Sequence, residues 1–485
     1  MKTHQIFLVL LILPGLAMPV FSQPGRWSEP YNISNNEWGS TNPDMAVAPD
    51  GRFHLVWDDF SRLGYLQSHD ILYSVFDGHF WSEPVIISGV DTTFSRLPRI
   101  AVDSDGYPHI VWVKNWLLSP EIYYSALTDS GWTEPLNLST LTGYSHHPDI
   151  AIDGNDYVHV VWYDNCFGNI DIVHTYYNGE EWSELINVSE EYYTSLDPRI
   201  VADSESNVYL VWSASTGADS DICYSLFNGV SWSPHTILSH TPTVLSKEPN
   251  IALDISNNPY VVWQESQGAN HYEIYYCYKQ WEEWTEPVDL TDLGGYALYP
   301  TLAIADDNTK CLLFEYRLNG SDDPYMNYMI EYEGIWTYPD SVSIEYRGSS
   351  QPAISYYNGK FHACIQFAFA VYGDIGYTFY ELPNSKLPNS DNQPTKQEIT
   401  IHPNPFNDNV SINFNLLQKE NTNLSIFNIS GQLVTILCDD YLDKGNHRFD
   451  WNGTDQNGVE VSGGVYFVRL LTATESSINK VIYLK

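Results

Sequence analysis

Four histidines, His54, His109, His159 and His362, stand at equivalent places in a recurring unit, where other copies carry Tyr209, Tyr260 and Cys311. Imidazoles in such number could hold a cation or move a proton. So could the acids Asp70, Glu121, Asp171, Asp221, Glu273 and Asp374, each placed just before an apolar strand residue. Both sets repeat along the chain, and a single active site has no use for a charge in every copy. They are therefore expected to hold the structure together by hydrogen bonding, with no metal and no cofactor. The Asp-rich turns Asp103-Ser104-Asp105-Gly106 and Asp153-Gly154-Asn155-Asp156 also lack the closing glutamate of a calcium loop.

Local chemistry belongs where the copies differ. Of the 16 tryptophans, most repeat with the unit, but Trp38, Trp116, Trp281 and Trp451 do not. Trp38 and Trp116 fall in loops of one face, together with Arg96, His146, His147, Tyr192, Tyr193, Arg347, Asp59, Arg62 and Tyr65. An aromatic platform flanked by polar groups suits a sugar, which stacks its ring and hydrogen-bonds its hydroxyls. The expected ligand-binding set is Trp38, Asp59, Arg96, Trp116, His146 and His147. Glycoside hydrolysis would need two positioned carboxyl groups, or a tyrosine with a glutamate partner. Asp59, Asp164 and Glu265, which closely follow a repeated tryptophan, are the first candidates.

The unit that must position these residues is clearest over residues 98–139. It predicts four strands: Pro98–Val102, His109–Val113, Glu121–Leu127 and Trp132–Ser139. A proline opens the first strand in every copy, at Pro43, Pro98, Pro148, Pro198, Pro249, Pro300 and Pro352. Seven four-stranded units of about fifty residues are the sequence signature of a propeller. The fourth strands open with Trp27, Trp81, Trp132, Trp182, Trp232, Trp284 and Trp336. Trp27 precedes the first proline, so the N-terminal strand Trp27–Ser34 is expected to complete the last blade and remove a free sheet edge.

The 485 residues leave room for a second, smaller domain, and 61 acidic against 22 basic residues give a net charge of −39. Such a chain repels phosphate backbones and anionic lipid, so no nucleic acid and no membrane surface is expected as partner. Residues 1–22 read as a secretory signal, too short and too broken by Pro14 to span a bilayer. The six cysteines replace ordinary strand residues rather than forming a framework, although a Cys311–Cys364 bridge would be possible. Residues 23–382 form the propeller and 383–397 a proline-rich linker. Residues 398–485 alternate as a small β-sandwich.

Two resemblances follow. The hairpins Asp77-Gly78-His79-Phe80-Trp81 and Asn228-Gly229-Val230-Ser231-Trp232 loosely resemble the Asp-box repeats of sialidase-like propellers, without the serine of the full box. The tail carries Pro403-Asn404-Pro405-Phe406, Gly431-Gln432-Leu433-Val434, Gly463-Gly464-Val465-Tyr466-Phe467 and a terminal Lys485. It resembles the type A sorting domain of type IX secretion, and is also similar to the Ig-like domain of the flagellar hook-capping protein. The resemblance implies passage through the outer membrane by the type IX machinery, to the cell surface or the medium. An all-β, seven-bladed propeller with an Ig-like sorting domain is thus expected. Its expected role is non-catalytic binding of a glycan or protein. A sialidase-like glycoside hydrolase and a structural surface protein are the alternatives.

Overall fold

The computed structural model describes residues 25–485 except 36–38, 64–65, 90–92, 117–118, 191–193, 216–218, 240–243, 269–270, 282, 319–323, 333, 343–349, 368–372, 383–399, 408, 417–418, 429–432, 457 and 473–475. Every regular element among the described residues is a strand. In the second unit Arg96–Val102, Pro108–Lys114 and Glu121–Thr128 pair antiparallel in chain order, and Leu136–Asn137 adds outside them. The other units begin with Ser40–Val47, His146–Ile152, Thr194–Ala202, Ser246–Leu253, Tyr296–Ile304 and Ser350–Tyr357. These first strands are innermost, each touching the next, and Ser350–Tyr357 touches Ser40–Val47. The architecture is an all-β propeller.

The last unit takes its outer strand from the start of the chain. Tyr31 and Asn32 pair with Tyr377 and Gly376, and Trp27 bridges Tyr380. The predicted continuous strand Trp132–Ser139 is instead two pieces, Gly131–Trp132 and Leu136–Asn137. Pro135 between them has no N–H to give to the ladder.

Repeated side chains do the packing. Trp57, Trp112, Trp162, Trp212 and Trp263 are fully buried between neighbouring sheets. Each outer tryptophan stands edge-on against a third-strand ring of the preceding unit. The pairs are Tyr73–Trp132, Tyr124–Trp182, His174–Trp232, Tyr224–Trp284, Tyr276–Trp336, Tyr328–Trp27 and Tyr377–Trp81, with centroids 4.9 to 5.8 Å apart. Such pairs add roughly 0.5–1.5 kcal/mol each beyond burial. The last two join the seventh unit to its neighbours on both sides.

The repeated histidines and acids are hydrogen-bonding parts of this frame. His54, His109 and His362 meet the hydroxyls of Tyr73, Tyr124 and Tyr377 through Nδ1 at 2.6 to 2.7 Å. Among the acids, Asp221 accepts from Ser239 Oγ at 2.8 Å, and that oxygen accepts from the Ile222 N–H at 3.1 Å. The same relay ties Asp374 to Ser34 and Ile375. A carboxylate thus fastens each of these outer strands to the third. All six cysteines are free thiols, Cys311 and Cys364 included.

Residues from 400 onward form two sheets over a separate core. Thr400–His402, Val410–Leu416 and Gly445–Trp451 make one, and Leu433–Leu442, Glu420–Asn428, Gly464–Thr472 and Ser476–Tyr483 the other. Phe406, Trp451, Tyr466 and Tyr483 fill the space between them. The Pro403–Phe406 motif acts as a clasp. Asn404 donates to the Lys480 carbonyl and accepts from the Ile482 N–H, at 2.8 and 2.9 Å. Tyr466 donates to the Ser462 carbonyl at 2.6 Å, and Gly464 opens its strand. Lys485 pairs with Glu460 in solvent, and Gly431 lies outside the described residues.

Candidate functional site at the mouth of the tunnel

Each innermost strand carries the same defect near its start. The pairing register breaks between Thr41 and Asp44, Arg96 and Arg99, His146 and Asp149, Leu196 and Arg199, Lys247 and Asn250, Leu298 and Thr301, and Ser350 and Ala353. The repeated proline sits inside the break, where its missing N–H costs no ladder bond. The residue before it takes a left-handed backbone in six units, with φ of 47 to 52° at Asn42, Leu97, His147, Asp197, Glu248 and Tyr299. None of these is glycine, so each position is strained. The bulges turn this residue towards the end of the tunnel where the inner strands begin.

Below the bulge the frame is charged. Asp44 accepts from the Ile100 N–H at 2.9 Å, Asp149 from the Ile200 N–H at 2.9 Å, and Asn250 from the Leu302 N–H at 3.1 Å. Each caps the otherwise open inner edge of the next unit. Arg99 lies 3.7 Å from Asp149. Burial raises the Asp44 carboxyl to about 6, against the pull of Arg99.

Four of the six expected ligand residues come together at the mouth. The Arg96 guanidinium lies 5.1 Å over the Trp116 ring, and Trp116 stands edge-on to His146 at 4.4 Å. His146 and His147 both stack on Tyr163, at 5.7 and 5.2 Å. Burial drives His146 down to about 4, and His147 adds to the effect. Burial with Arg199 and Arg99 takes His147 to about 3. Both rings are neutral at physiological pH. Arg96 Nε, His146 Nδ1 and His147 Nδ1 are buried without a hydrogen bond among the described residues. Other such atoms lie in the frame, His54 Nε2 and Trp112 Nε1 among them, but here three fall in one cluster.

Asp59 does not belong to this set. Its carboxylate accepts from Ser40 Oγ at 2.7 Å and from Trp57 Nε1 at 3.3 Å. Asp164 does the same with Ser145 and Trp162, and Glu265 with Ser246 and Trp263. These three are clamps on the buried tryptophans. The neighbouring position faces the mouth instead, because strand side chains alternate. There Asp58 accepts from Asn42 Nδ2 at 2.6 Å and the Leu97 N–H at 3.1 Å, with Arg96 3.9 Å away. Tyr163, Gln264 and Glu315 occupy it in other units, Gln264 accepting from the Tyr299 N–H at 3.0 Å.

The mouth also holds acids that the sequence did not single out. Burial, then the charge of Asp197, raises Glu248, against Arg199, Arg99 and Lys247. Burial likewise raises Asp197. Glu315 is raised to about 7 by burial, although Arg317 Nε lies 3.1 Å away. Trp38, Tyr65, Tyr192, Tyr193 and Arg347 lie outside the described residues. Trp281 is exposed on an outer turn, away from the mouth, and Trp451 belongs to the tail core.

Comparison with known proteins agrees with this division. Residues 400–484 match the family of secretion system C-terminal sorting domains. The chain is a β-propeller exported by type IX secretion to the cell surface or the extracellular space, and its tail engages that machinery. No curated protein matches the chain in sequence. Among solved structures, a polysaccharide lyase of family PL25, an ulvan lyase bound to -[GlcA(1-4)Rha3S]-, superposes with a TM-score of 0.51 at 12% identity. That match covers 73% of this chain and 96% of that one, and shows a shared fold. A protein of unknown function from Dyadobacter fermentans gives 0.48 at 12% identity, over 74% of this chain and 100% of its own. An intramolecular trans-sialidase from Ruminococcus gnavus gives 0.41 at 10% identity, over 72% and 95%.

Proposed function

We propose that the exported propeller, residues 23–382 after loss of the signal at 1–22, binds a glycan at the mouth of its tunnel. The linker 383–397 and the sorting domain 398–485 serve its delivery. The observation that carries this reading is the convergence of Arg96, Trp116, His146 and His147 with Tyr163. Aromatic faces stand beside polar nitrogens that make no bond within the described protein. Sugars need both, an apolar platform for the ring face and fixed donors and acceptors for the hydroxyls. The neutral imidazoles suit this, because each offers one donor and one acceptor.

A second reading is cleavage at the same mouth. Glu315 holds its proton to about 7, which is what a general acid working near neutral pH requires. One experiment separates the two. The purified full chain is applied to a broad glycan array, and every spot is read by mass spectrometry. Retention with unchanged glycan masses is expected, lost on Trp116→Ala or Arg96→Ala. Loss of a sugar unit from retained or passing glycan would make the chain a hydrolase or lyase. A silent array would overturn glycan binding and leave a protein partner or a structural role.

A further inference from the structure

Two features of the mouth narrow what its ligand can be. The first is a contrast between equal backbones and unequal side chains. The proline is the same in all seven units, and the bulge around it is the same. Yet the residue before it is Asn42, Leu97, His147, Asp197, Glu248, Tyr299 and Gln351, different in every copy. A position that served only to build the bulge would accept one residue type, and glycine would relieve the left-handed strain. The six described side chains, all different on one repeated frame, would suit something without sevenfold symmetry. The second feature is an unpartnered polar atom in the ring itself: the Nδ1 of His147 is buried and makes no hydrogen bond among the described residues.

The chemistry of the ring narrows the ligand. Asp197 and Glu248 stand at matching places on touching inner strands of successive units, both are raised mainly by burial, and both are flanked by Arg199 and Lys247. A carboxyl pair that keeps a proton offers a donor and acceptors side by side, the complement of two adjacent hydroxyls. Tyr299 lies next to Glu248 and is 39% exposed, the most open ring of the set. The whole chain carries −39 charges, so a polyanionic glycan would be repelled before reaching the mouth.

We propose that the pre-proline ring is a subsite for one uncharged sugar residue, with Asp197 and Glu248 on two adjacent hydroxyls and Tyr299 under the ring. This rests on the glycan-binding reading and names its ligand class. The ligand enters along the tunnel axis, end-on, because the contacts come from successive units around the mouth rather than from one groove.

The test uses the full chain against two glycan panels. One contains neutral gluco-, galacto-, manno- and xylo-oligosaccharides, the other uronate-, sialate- and sulfate-bearing ones. The strongest neutral ligand is then titrated by calorimetry into wild type, Tyr299→Ala, Glu248→Ala and Glu248→Gln, with the melting temperature of each variant recorded. The expected result is retention of neutral glycans, at least tenfold weaker binding for the two alanine variants, and a smaller, roughly threefold loss for Glu248→Gln. Should an alanine variant not fold, the isosteric glutamine variant carries the comparison. Retention of charged glycans alone would overturn the uncharged subsite and leave glycan binding standing. Neutral binding that all variants share would overturn the ring assignment. Silence on both panels would overturn the ring and the glycan reading together.

Discussion

In the first and third units the two residues after the second-strand tryptophan stand one peptide apart and do opposite work. In Trp57-Asp58-Asp59, the second acid is locked onto the indole and onto Ser40, while the first reaches Asn42, Leu97 and Arg96. In Trp162-Tyr163-Asp164, the acid is again the clamp, and the tyrosine is the platform for His146 and His147. A strand has period two, so one step moves a side chain from the inside of a blade interface to the mouth. The clamp recurs at Asp59, Asp164 and Glu265, where a buried indole N–H needs an acceptor. The mouth position varies, as the proposed single ligand among several units would require.

The largest effect that could break this comparison is expected at the clamp. Trp162→Ala removes a fully buried indole and its bond to Asp164, and should destabilise the fold by about 3–5 kcal/mol. Trp116→Ala, at the half-buried mouth, should cost about 1 kcal/mol or less while abolishing glycan retention. Urea unfolding of both variants measures the difference. Equal losses of stability would mean that Trp116 is part of the frame.

A middle-sized effect separates buried acids of the mouth from those of the clamp by pH. Burial raises Glu315 to about 7, above the ordinary value of 4.5. In the unfolded chain it ionises first, so between those two values the folded state binds the extra proton. Its contribution to stability is therefore fully present below about pH 4.5 and is lost as pH rises through 7. Glu315→Gln stays neutral throughout. The fall in stability between pH 5 and pH 8 should be smaller in the variant by roughly 2–3 kcal/mol. Parallel stability profiles for variant and wild type would show that Glu315 is not desolvated at the mouth.

The frame was legible in the sequence because it is built from residues that repeat for a physical reason. The prolines mark the bulges, the tryptophans mark the blade interfaces, and Trp27 ahead of the first proline marked the strand that joins Tyr377. The histidines read as structural because Tyr209 and Tyr260 replace them, and three of the four hydrogen-bond to tyrosine while His159 meets His174. The site was half legible. Arg96, Trp116, His146 and His147 stood out as departures from the repeat, and they assemble. Asp59 lies apart from them, on Ser40 and Trp57, because spacing from a tryptophan fixes which face a side chain takes only when the strand register is known. Asp197, Glu248 and Tyr299 went unnoticed for a different reason. Each precedes a conserved-looking landmark, and only the backbone shows that the bulge re-aims that residue.

The bulge itself offers the smallest and most discriminating effect. Leu97 holds φ at 52° with no charge and no side-chain hydrogen bond of its own to lose, while its N–H is fixed by Asp58. Leu97→Gly removes the left-handed strain, worth roughly 1–2 kcal/mol, and adds back roughly 0.5–1 kcal/mol of unfolded-state freedom. Leu97 also packs against the core shared by the second and third units, and losing its half-buried side chain costs about 1 kcal/mol more. The net change in the urea midpoint should therefore be small, at constant m-value. If the pre-proline ring serves only the fold, glycine there should leave glycan retention unchanged. If the ring meets a ligand, the same substitution should weaken retention of the neutral glycan at nearly constant stability. A loss well beyond about 2 kcal/mol would place the Leu97 side chain in the frame and remove it from the ring.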